Sequence, residues 1–273
     1  MARVLILSSY VASSRVGGGA QALALARLGL EPILIPTVLF GRHPGHGPPG
    51  GAAVEAETFE AMIGGVEAQG LFAKLDAVIT GYFSSPEQVS IAADTLGRVK
   101  AAAPQARLIV DPIMGDNGRL YVKEAVAEAI AALLAPRADV LAPNAWELGW
   151  LTNCALSDPG SAFAAARTLG KPVMVSSIRA GDAIGVVYAE AGEAWFASHP
   201  AATAAPNGTG DLLTALFTAA LLGGFAGPDA LAVAVGGVAE AMGEAAGLDE
   251  LPLTGFPTTL AASPLVRLAP LHG

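Results

Sequence analysis

The sequence predicts an α/β protein in which helices cover both faces of a mostly parallel central sheet. Short apolar runs rich in Val, Ile and Leu alternate with longer helical patterns along almost the whole chain. Of the 273 residues, 53% are hydrophobic and only 14% are charged, a composition that suits strands buried on both faces. Because no repeat or linker divides the sequence, we expect a single domain spanning residues 1–273.

Six apolar runs are predicted to be the parallel strands, since each is short and bounded by turn or helix signals. In chain order they are RVLILS (3–8), EPILIP (31–36), LDAVITGYF, RLIVDP, ADVLAP and PVMVSS. Two further runs, AIGVVYA and EAWFAS, are joined through Glu190–Gly192 and predict an antiparallel pair.

Helical patterns fill the intervals between these strands. The predicted helices include AQALALARLGL after Gly17–Gly19, residues 54–69, PEQVSIAADTLGRVKAAA, VKEAVAEAIAALLAP, a short helix after Asn144, LLTALFTAALL and PDALAVAVGGVAEAMGEAAG. Gly17–Gly19 also fits a dinucleotide-binding pattern. We reject that function because the glycines lie nine residues past the strand rather than in its tight turn.

Charge and cysteine content exclude several classes of function. The formal net charge is −9 and no cluster of Lys and Arg is present, so nucleic acid is not an expected partner. The single cysteine, Cys154, permits no disulfide within the chain and is expected to be buried. No run of about 18 apolar residues is free of Gly, Pro or charge, so we expect no membrane span and a soluble cytoplasmic protein.

Residues 37–53 are rich in Gly and Pro and predict a long loop or an extension off the sheet. His43 and His46 lie in this segment, with a spacing that would suit a metal if they stood on a helix. We expect no helix through Pro44 and Gly45, and we interpret the two histidines as solvent-exposed unless the loop folds over a site.

The segment Asn207-Gly208-Thr209-Gly210-Asp211 comes directly before an apolar helical run. Glycine-rich backbone at a helix N-terminus can point several N–H groups at a phosphate, and Asp211 is then placed to take a proton from an attacking hydroxyl. The pattern therefore indicates phosphoryl transfer. Two structural interpretations stay open, because Asn207-Gly208 also suits a hairpin turn and an Asp in a first helical turn is often only a cap.

Polar residues stand at the carboxyl ends of the predicted parallel strands, where ligands bind in open sheets. Asp111 ends the fourth strand and Glu147 follows the fifth, and together they predict a Mg²⁺ site, direct or through water. Taken singly, Asp111 also suits a cap before Pro112, and Glu147 suits a first-turn residue favoured by the helix dipole. The other polar strand ends are Ser8-Ser9, Gly81-Tyr82 and Ser176-Ser177.

Three motifs together resemble those of the ribokinase-like kinases: DPIMGD at 111–116, APNAWE at 142–147 and NGTGD at 207–211. Within that superfamily the sequence is similar to the pyridoxal kinases. RLGLEPILIPTVLFGRH at 27–43 and TGYFSSPEQV at 80–89 carry this similarity. The resemblance runs from about residue 4 to 223 and implies the ribokinase-like fold.

The resemblance implies transfer of the ATP γ-phosphate to the 5′-hydroxymethyl group of pyridoxal, pyridoxine or pyridoxamine, as in vitamin B6 salvage. It also implies Mg²⁺ as cofactor, a homodimer, and a flap at about 41–51 that covers the substrate and excludes water. Asp211 is the implied base, and Gly208, Thr209 and Gly210 form the implied anion hole.

The same resemblance implies two groups of binding residues. Those at the pyridine ring are Ser9, His43, Pro44, Gly45 and Tyr82, together with Asp211. Those at the nucleotide are Asp111, Ala142, Asn144, Glu147, Ser176, His199, Pro200, Ala201, Ala202 and Asn207, with Asp111 and Glu147 also at the metal.

The sequence departs from the pyridoxal kinase pattern at a few positions. Tyr10 stands where the family usually has His, Gly18 where it has Asn, Pro44 where it has Thr, and Ser176 where many relatives have Lys or Thr. These changes leave the phosphoryl-transfer residues intact and concern the specificity for the ring.

Two alternative functions stay open. Hydroxymethylpyrimidine kinases of the same superfamily typically read G-T-G-C where this chain has Gly208-Thr209-Gly210-Asp211. A non-catalytic protein that binds B6 vitamers would need no base, so the joint presence of Asp211, Asp111 and Glu147 argues against it.

Overall fold

A computed structural model describes residues 1–202, 206–245 and 247–272 of the chain. Its strands are β1 (Arg3–Val11), β2 (Glu31–Phe40), β3 (Gly51–Ala53), β4 (Ala77–Thr80), β5 (Arg107–Val110), β6 (Gly115–Asp116), β7 (Arg119–Leu120), β8 (Val140–Leu141), β9 (Val173–Ala180), β10 (Ala183–Glu190), β11 (Glu193–Pro200) and β12 (Arg267–Leu271). Its α-helices are α1 (Gly17–Arg27), α2 (Ala56–Ala68), α3 (Pro86–Ala102), α4 (Glu124–Ala129), α5 (Ala145–Thr152), α6 (Pro159–Arg167), α7 (Thr209–Leu222) and α8 (Gly227–Glu244).

Ten of these strands form one sheet, in the order β12-β11-β10-β9-β8-β5-β4-β1-β2-β3. The six central strands, from β9 to β2, run parallel to one another. Strands β3, β10, β11 and β12 pair antiparallel with their neighbours, and β6 and β7 form a separate hairpin. The predicted α/β class, the mostly parallel sheet and the antiparallel pair β10–β11 are therefore confirmed.

Alternate residues of the central strands are buried on opposite faces of the sheet. In β1, Val4 and Ile6 belong to a hydrophobic cluster shared with α1, α7 and α8. Leu5 and Leu7 belong to the cluster on the other face, shared with α2, α3, α4 and α6. Because side chains alternate along a strand, a strand that is apolar throughout must be covered on both faces, as the composition predicted.

The first two strands are longer than the sequence indicated. β1 continues to Val11 and β2 to Phe40, beyond a shift in their register between Ser8 and Tyr10. Ser8-Ser9 and Pro36-Thr37 interrupt the two apolar runs, which is why the sequence placed the strand ends too early. β2 then turns back into β3, which shortens the predicted loop at its two ends.

Other local predictions were wrong in instructive ways. The helix predicted to run to Pro136 is α4 followed by a π turn at Ile130–Leu134 and a 3₁₀ turn at Ala135–Arg137, because Pro136 cannot donate a helical hydrogen bond. β12 was missed, since its residues are mostly half exposed and include Pro270, which an edge strand tolerates. Cys154 is exposed rather than buried.

Two further observations bear on the sequence predictions. Pro44–His46 forms a 3₁₀ turn, where no helix was expected. Proline is accommodated because it occupies the first turn, whose N–H groups need no helical partner. None of the helices in the described ranges is long and apolar enough to cross a membrane.

Candidate active site

The carboxyl ends of the parallel strands bring the predicted site residues to one edge of the sheet. Asp111 follows β5, and its N–H continues the ladder to the carbonyl of Thr80 at the end of β4. Asn144 follows β8 and forms a bridge with Ser176 on β9. The topology thus places these chain segments side by side, as expected of an open parallel sheet.

Helix α7 begins at this edge, and Gly208 is its N-cap. Gly208 has φ of 91°, in the left-handed region, and an added Cβ would lie 2.2 Å from the carbonyl oxygen of Arg15. Only glycine fits both constraints without strain. The free N–H groups of the first helical turn, from Thr209 onward, are left to face a ligand.

Asp211 lies in this first turn but does not cap the helix. Its Oδ2 accepts a hydrogen bond of 2.8 Å from the N–H of Gly17, and the helix has no side-chain cap. Within the described residues, Oδ1 of Asp211 is buried and has no hydrogen-bond partner. The interpretation of Asp211 as a cap is therefore wrong, and the hairpin interpretation of Asn207-Gly208 is also wrong, because a helix starts there.

The environment of Asp211 suits a proton acceptor. Burial raises the pKa of Asp211 to about 6, and the hydrogen bond from Gly17 opposes that rise. A carboxylate with this pKa is ionised at neutral pH and is more basic than an ordinary aspartate. A positioned general base needs one oxygen that is held in place and another that can accept a proton. Oδ2 is held by the Gly17 N–H, and Oδ1 has no partner within the described residues.

Asp111 lies behind Asp211 and is tied to the same helix. Its Oδ2 accepts a hydrogen bond of 2.8 Å from Oγ1 of Thr214, which stands three residues after Asp211 and so on the same side of α7. Burial raises the pKa of Asp111 well above its usual range, and the charges of Glu147 and Asp211 raise it further. The hydrogen bond from Thr214 acts in the opposite direction.

Glu147 is held by four backbone and side-chain contacts. It forms a capping box with Asn144, in which Oδ1 of Asn144 accepts from the N–H of Glu147 and Oε2 of Glu147 accepts from the N–H of Asn144, both at 2.9 Å. Its Oε1 accepts from the N–H groups of Met114 and Gly115 at 2.6 and 3.3 Å. The interpretation as a first-turn residue of the helix is confirmed, while the same carboxylate faces Asp111.

Burial raises the pKa of Glu147 to about 7, and its three backbone hydrogen bonds lower it. Because Oε1 already accepts two donors and Oε2 one, little acceptor capacity remains for a metal ion. Asp111 accepts fewer hydrogen bonds within the described residues, from Oγ1 of Thr214 and from the backbone N–H of Ile113. We therefore expect both carboxylates to lie near a metal, with Asp111 the more available of the two as a ligand.

The residues predicted at the pyridine ring gather around β1, Tyr82 and the flap. Ser9 is buried, and its Oγ would lie 2.0 Å from a Cβ added to Gly17. The N–H of Tyr82 donates to Oγ of Ser8 at 3.3 Å, and its carbonyl accepts from Oγ1 of Thr37 at 2.6 Å. Burial raises the pKa of the Tyr82 phenol, which keeps it protonated and able to donate.

The flap is a turn between β2 and β3 with its own internal contacts. Nδ1 of His43 accepts from the N–H of Gly45 at 3.2 Å, and the His43 and His46 rings meet edge to face at 5.8 Å. His46 and Pro44 are exposed, but His43 is half buried. Burial lowers the pKa of His43. The prediction of two solvent-exposed histidines is therefore correct for His46 and wrong for His43.

The residues predicted at the nucleotide extend along the same edge. Ala142 is buried directly after β8, and Ser176 donates its N–H to the carbonyl of Pro143 at 3.0 Å. β11 runs in the same direction as β9, so His199 and Pro200 at its end reach this edge too. Ala201 and Ala202 follow, and the N–H of Ala201 donates to the carbonyl of Asp182 at 2.9 Å. Residues 203–205 lie outside the described ranges.

Three residues of the site were not predicted from the sequence. Gly17 holds Asp211 and Thr214 holds Asp111, while the half-exposed phenol of Tyr121 is close enough to both carboxylates to feel their charge. Partial burial, followed by the charges of Glu147, Asp111, Asp211 and Asp116, raises the pKa of Tyr121. The spacing of Thr214 from Asp211 could be seen in the sequence, but the contact of Gly17 with Asp211 joins residues 194 positions apart.

Asp111, Glu147 and Asp211 concentrate negative charge in the site, and no cationic side chain of the described residues pairs with them. The part of the chain that the structure describes holds no group of three or more His, Cys, Asp and Glu residues that could form a complete metal site. Two carboxylates without a cationic partner among the described residues suit a hard cation whose remaining ligands are phosphate and water.

Comparisons with known proteins identify relatives along most of the chain. The family model for phosphomethylpyrimidine kinase matches residues 53–252. A pyridoxine/pyridoxal/pyridoxamine kinase of Bordetella avium is 36% identical over 81% of this chain and 78% of its own length. The pyridoxal kinase PdxY of Corynebacterium diphtheriae is 34% identical over 79% of each chain.

Solved structures agree with these sequence relatives. The pyridoxal kinase of Leishmania donovani in complex with ADP and pyridoxamine matches with a TM-score of 0.91 and 27% identity, over the full length of both chains. A putative phosphomethylpyrimidine kinase of Bacteroides thetaiotaomicron has a TM-score of 0.88 at 22% identity, over 98% of both chains, which shows the shared fold alone.

Proposed function

The chain belongs to the pyridoxal kinases of the ribokinase-like superfamily, and on that premise we propose the reaction carried out at this site. The protein transfers the γ-phosphate of ATP to the 5′-hydroxymethyl group of a B6 vitamer. The relatives are named for that activity, and one solved relative holds ADP and pyridoxamine. The observation that carries the proposal is the free, buried Oδ1 of Asp211 at the N-terminus of α7.

Asp211 acts as the general base in the proposed mechanism. Its Oδ1 accepts the proton of the substrate hydroxyl while Oδ2 stays bound to the N–H of Gly17. The hydroxyl oxygen forms a bond to the γ-phosphorus, the bond between that phosphorus and the bridging oxygen breaks, and ADP leaves. The products are the phosphorylated vitamer and ADP, with the proton on Asp211 until solvent removes it.

The N-terminus of α7 stabilises the transferred group. The N–H groups of the segment Gly208–Gly210 have no helical partner, and the helix dipole adds partial positive charge at the same point. Backbone donors fixed before the reaction need no reorganisation as negative charge develops on the phosphoryl oxygens. The left-handed Gly208 is what turns these N–H groups toward the ligand.

Mg²⁺ is the further component that we propose, and Asp111 and Glu147 are the residues that would hold it. When bound, it supplies positive charge that offsets the phosphates and the local carboxylates. The donor set fits, since both ligands are carboxylates and neither is in an ion pair within the described ranges.

The substrate side determines which vitamer is used, and we assign Ser9, Tyr82 and the flap residues His43, Pro44 and Gly45 to it. The carbonyl and N–H of Tyr82 are fixed by Thr37 and Ser8, so the phenol is presented from a rigid backbone. Nucleotide contacts are assigned to Asp111, Ala142, Asn144, Glu147, Ser176, the 199–202 segment and Asn207.

Three further expectations belong to the same proposal. A homodimer is what the family resemblance implies, and light scattering of the purified protein tests it. A single domain is what the sequence predicts, because no repeat or linker divides it. A cytoplasmic location is favoured by the need for ATP as the phosphoryl donor.

Hydroxymethylpyrimidine is the second candidate substrate, because the matching family model is the one for phosphomethylpyrimidine kinase. The deciding experiment measures ATP-dependent turnover of pyridoxal and of hydroxymethylpyrimidine side by side. We expect pyridoxal 5′-phosphate to form with the higher kcat/KM. Preferred turnover of hydroxymethylpyrimidine would reassign the substrate, and no turnover of either with retained vitamer binding would favour the non-catalytic binder.

A further inference from the structure

Glu250 lies beside the anion hole, although it is distant from it in the sequence. The N–H of Asn207 donates to the carbonyl of Asp249 at 2.9 Å, and Asn207 and Glu250 form a parallel bridge. The segment that contains Glu250 is therefore the backbone neighbour of the residue directly before Gly208. The Glu250 side chain is only 11% exposed.

The Glu250 carboxylate binds the backbone of Arg15. Its Oε2 accepts a hydrogen bond of 3.0 Å from the N–H of Arg15. Nη1 of Arg15 lies 3.7 Å from the same oxygen, and the Arg15 side chain is 42% exposed. A largely buried carboxylate that accepts a backbone N–H makes a charge-assisted hydrogen bond, whereas the partly exposed guanidinium, 3.7 Å away, adds little.

Residues 12–17, the 12–17 loop, connect Glu250 to both parts of the catalytic apparatus. The carbonyl oxygen of Arg15 packs so closely on Gly208 that a Cβ there would be 2.2 Å away. Two residues later, the N–H of Gly17 donates to Oδ2 of Asp211 at 2.8 Å. One carboxylate therefore fixes a short chain segment that contacts the N-cap of α7 at one end and the base at the other.

The same loop supports the flap. The N–H groups of Ala12 and Ser13 donate to the carbonyls of Phe40 and Gly41 at 2.8 and 3.0 Å. Oγ of Ser14 accepts from the N–H of His43 at 3.3 Å. Fixing the 12–17 loop therefore also fixes the base of the flap.

We propose that Glu250 is a positioning residue for phosphoryl transfer, acting through the Arg15 N–H. It holds the 12–17 loop so that Gly17 keeps Asp211 in place and the Arg15 carbonyl keeps Gly208 in place. Glu250 itself touches neither substrate. The inference rests on the function proposed above, because it assigns a role within that reaction.

The test compares Glu250→Ala and Glu250→Gln with the wild type in pyridoxal phosphorylation. Alanine removes the acceptor, so kcat falls by about 10-fold to 100-fold, the size expected when a reacting group is misplaced by about 1 Å. KM for ATP changes less than threefold, because the groups assigned to the nucleotide keep their places. Glutamine restores an acceptor oxygen for the Arg15 N–H and returns kcat to within about threefold of the wild type.

Three further variants separate positioning from charge and from loss of folding. Asp249→Ala removes a neighbouring exposed carboxylate and keeps wild-type kcat. Arg15→Ala removes the ion pair but keeps the backbone N–H, and also keeps kcat within about threefold. Glu250→Asp keeps the charge but shortens the side chain, so its carboxylate no longer reaches the Arg15 N–H and kcat falls. This variant tests the proposal even if Glu250→Ala folds poorly.

A second measurement does not depend on activity. Amide exchange of the peptide covering residues 12–19 becomes faster in Glu250→Ala and stays unchanged in Glu250→Gln. Unchanged exchange and kcat in Glu250→Ala would overturn the inference, as would an equal loss of kcat in Arg15→Ala. A wild type that does not phosphorylate pyridoxal would instead refute the proposed function, and the exchange result would still report on Glu250.

Discussion

The N–H of Gly17 donates a 2.8 Å hydrogen bond to Oδ2 of Asp211, joining residues 194 positions apart in the sequence. This contact has two effects on the base. It fixes the carboxylate so that, within the described residues, Oδ1 keeps no hydrogen-bond partner, and it lowers the Asp211 pKa against the effect of burial. The glycine at the start of α1 thereby sets both the geometry and the basicity of a residue on α7.

We expect Gly17→Ala to lower kcat by about 10-fold to 100-fold. Gly17 has φ of 61°, and an added Cβ would lie 2.0 Å from Oγ of Ser9, so the backbone must shift and take its N–H away from Asp211. The matched control is Gly19→Ala, whose Cβ would meet nothing closer than 3.6 Å. Equal kcat in the two variants would show that the Gly17 contact is unimportant.

The pH dependence of kcat/KM should report the ionisation of Asp211. The base must be deprotonated to accept a proton, and its pKa is about 6, so activity falls as the pH decreases through that value. In Gly17→Ala the hydrogen bond that lowers this pKa is weakened, and the acid limb moves to higher pH. A limb near pH 4, or one that Gly17→Ala does not move, would rule out Asp211 as its origin.

Thr214→Val should weaken the response to Mg²⁺. The change removes the Oγ1 donor to Asp111, so the pKa of Asp111 rises further and its ionised form becomes scarcer. We expect a higher Mg²⁺ concentration for half-maximal activity and loss of activity in excess EDTA. Thr218→Val is the control, because its hydroxyl donates to the carbonyl of Thr214 and contacts none of the site carboxylates among the described residues. Full activity in EDTA would refute the metal requirement.

The flap should become more protected when both ligands bind. Residues 41–50 connect β2 to β3, and contacts within the turn, such as the 2.7 Å bond from Nε of Arg42 to the carbonyl of Pro48, hold it in shape. Closure over a vitamer and a nucleotide would exclude water from the reaction. Amide exchange of this segment should slow with pyridoxal and a non-hydrolysable ATP analogue together. Identical exchange with and without the ligands would contradict a closing flap.

The sequence predicted the sheet because buried parallel strands are apolar on both faces, and their alternation with helical patterns is visible locally. It also located Asp111, Glu147 and Asp211 at strand ends and at a helix start. It could not predict hydrogen bonds between residues that are distant in the sequence. The bond from Gly17 to Asp211 spans 194 positions, and the bond from Arg15 to Glu250 spans 235.

The errors have local explanations. Cys154 was expected to be buried as a lone thiol, yet it follows Asn153, whose left-handed conformation ends α5 and turns the chain outward. The predicted ends of β1 and β2 fell at Ser8 and Pro36, yet Val11 and Val38 beyond them are buried parts of the same strands. Polar residues and proline interrupt an apolar run without ending the strand, so the pattern alone places these strand ends too early.

The stability of Asp211→Asn separates a base from a structural residue. Because the folded-state pKa of Asp211 is raised above its usual value, the ionised side chain destabilises the fold above about pH 6, and this effect disappears as the pH falls. Asn carries no charge and can still accept from the Gly17 N–H. We expect the variant to melt at or above the wild-type temperature at pH 7.5, with a smaller difference at pH 5.

The kcat of Asp211→Asn, measured on that same folded preparation, tests the central claim most directly. The substitution removes the group that accepts the substrate proton and leaves the N–H groups of Gly208–Gly210 in place. General-base catalysis contributes about 10²–10⁴-fold, so we predict a fall in kcat of that size with little change in nucleotide affinity. A folded Asp211→Asn variant that keeps more than about a tenth of the wild-type kcat would contradict the assignment of Asp211 as the base.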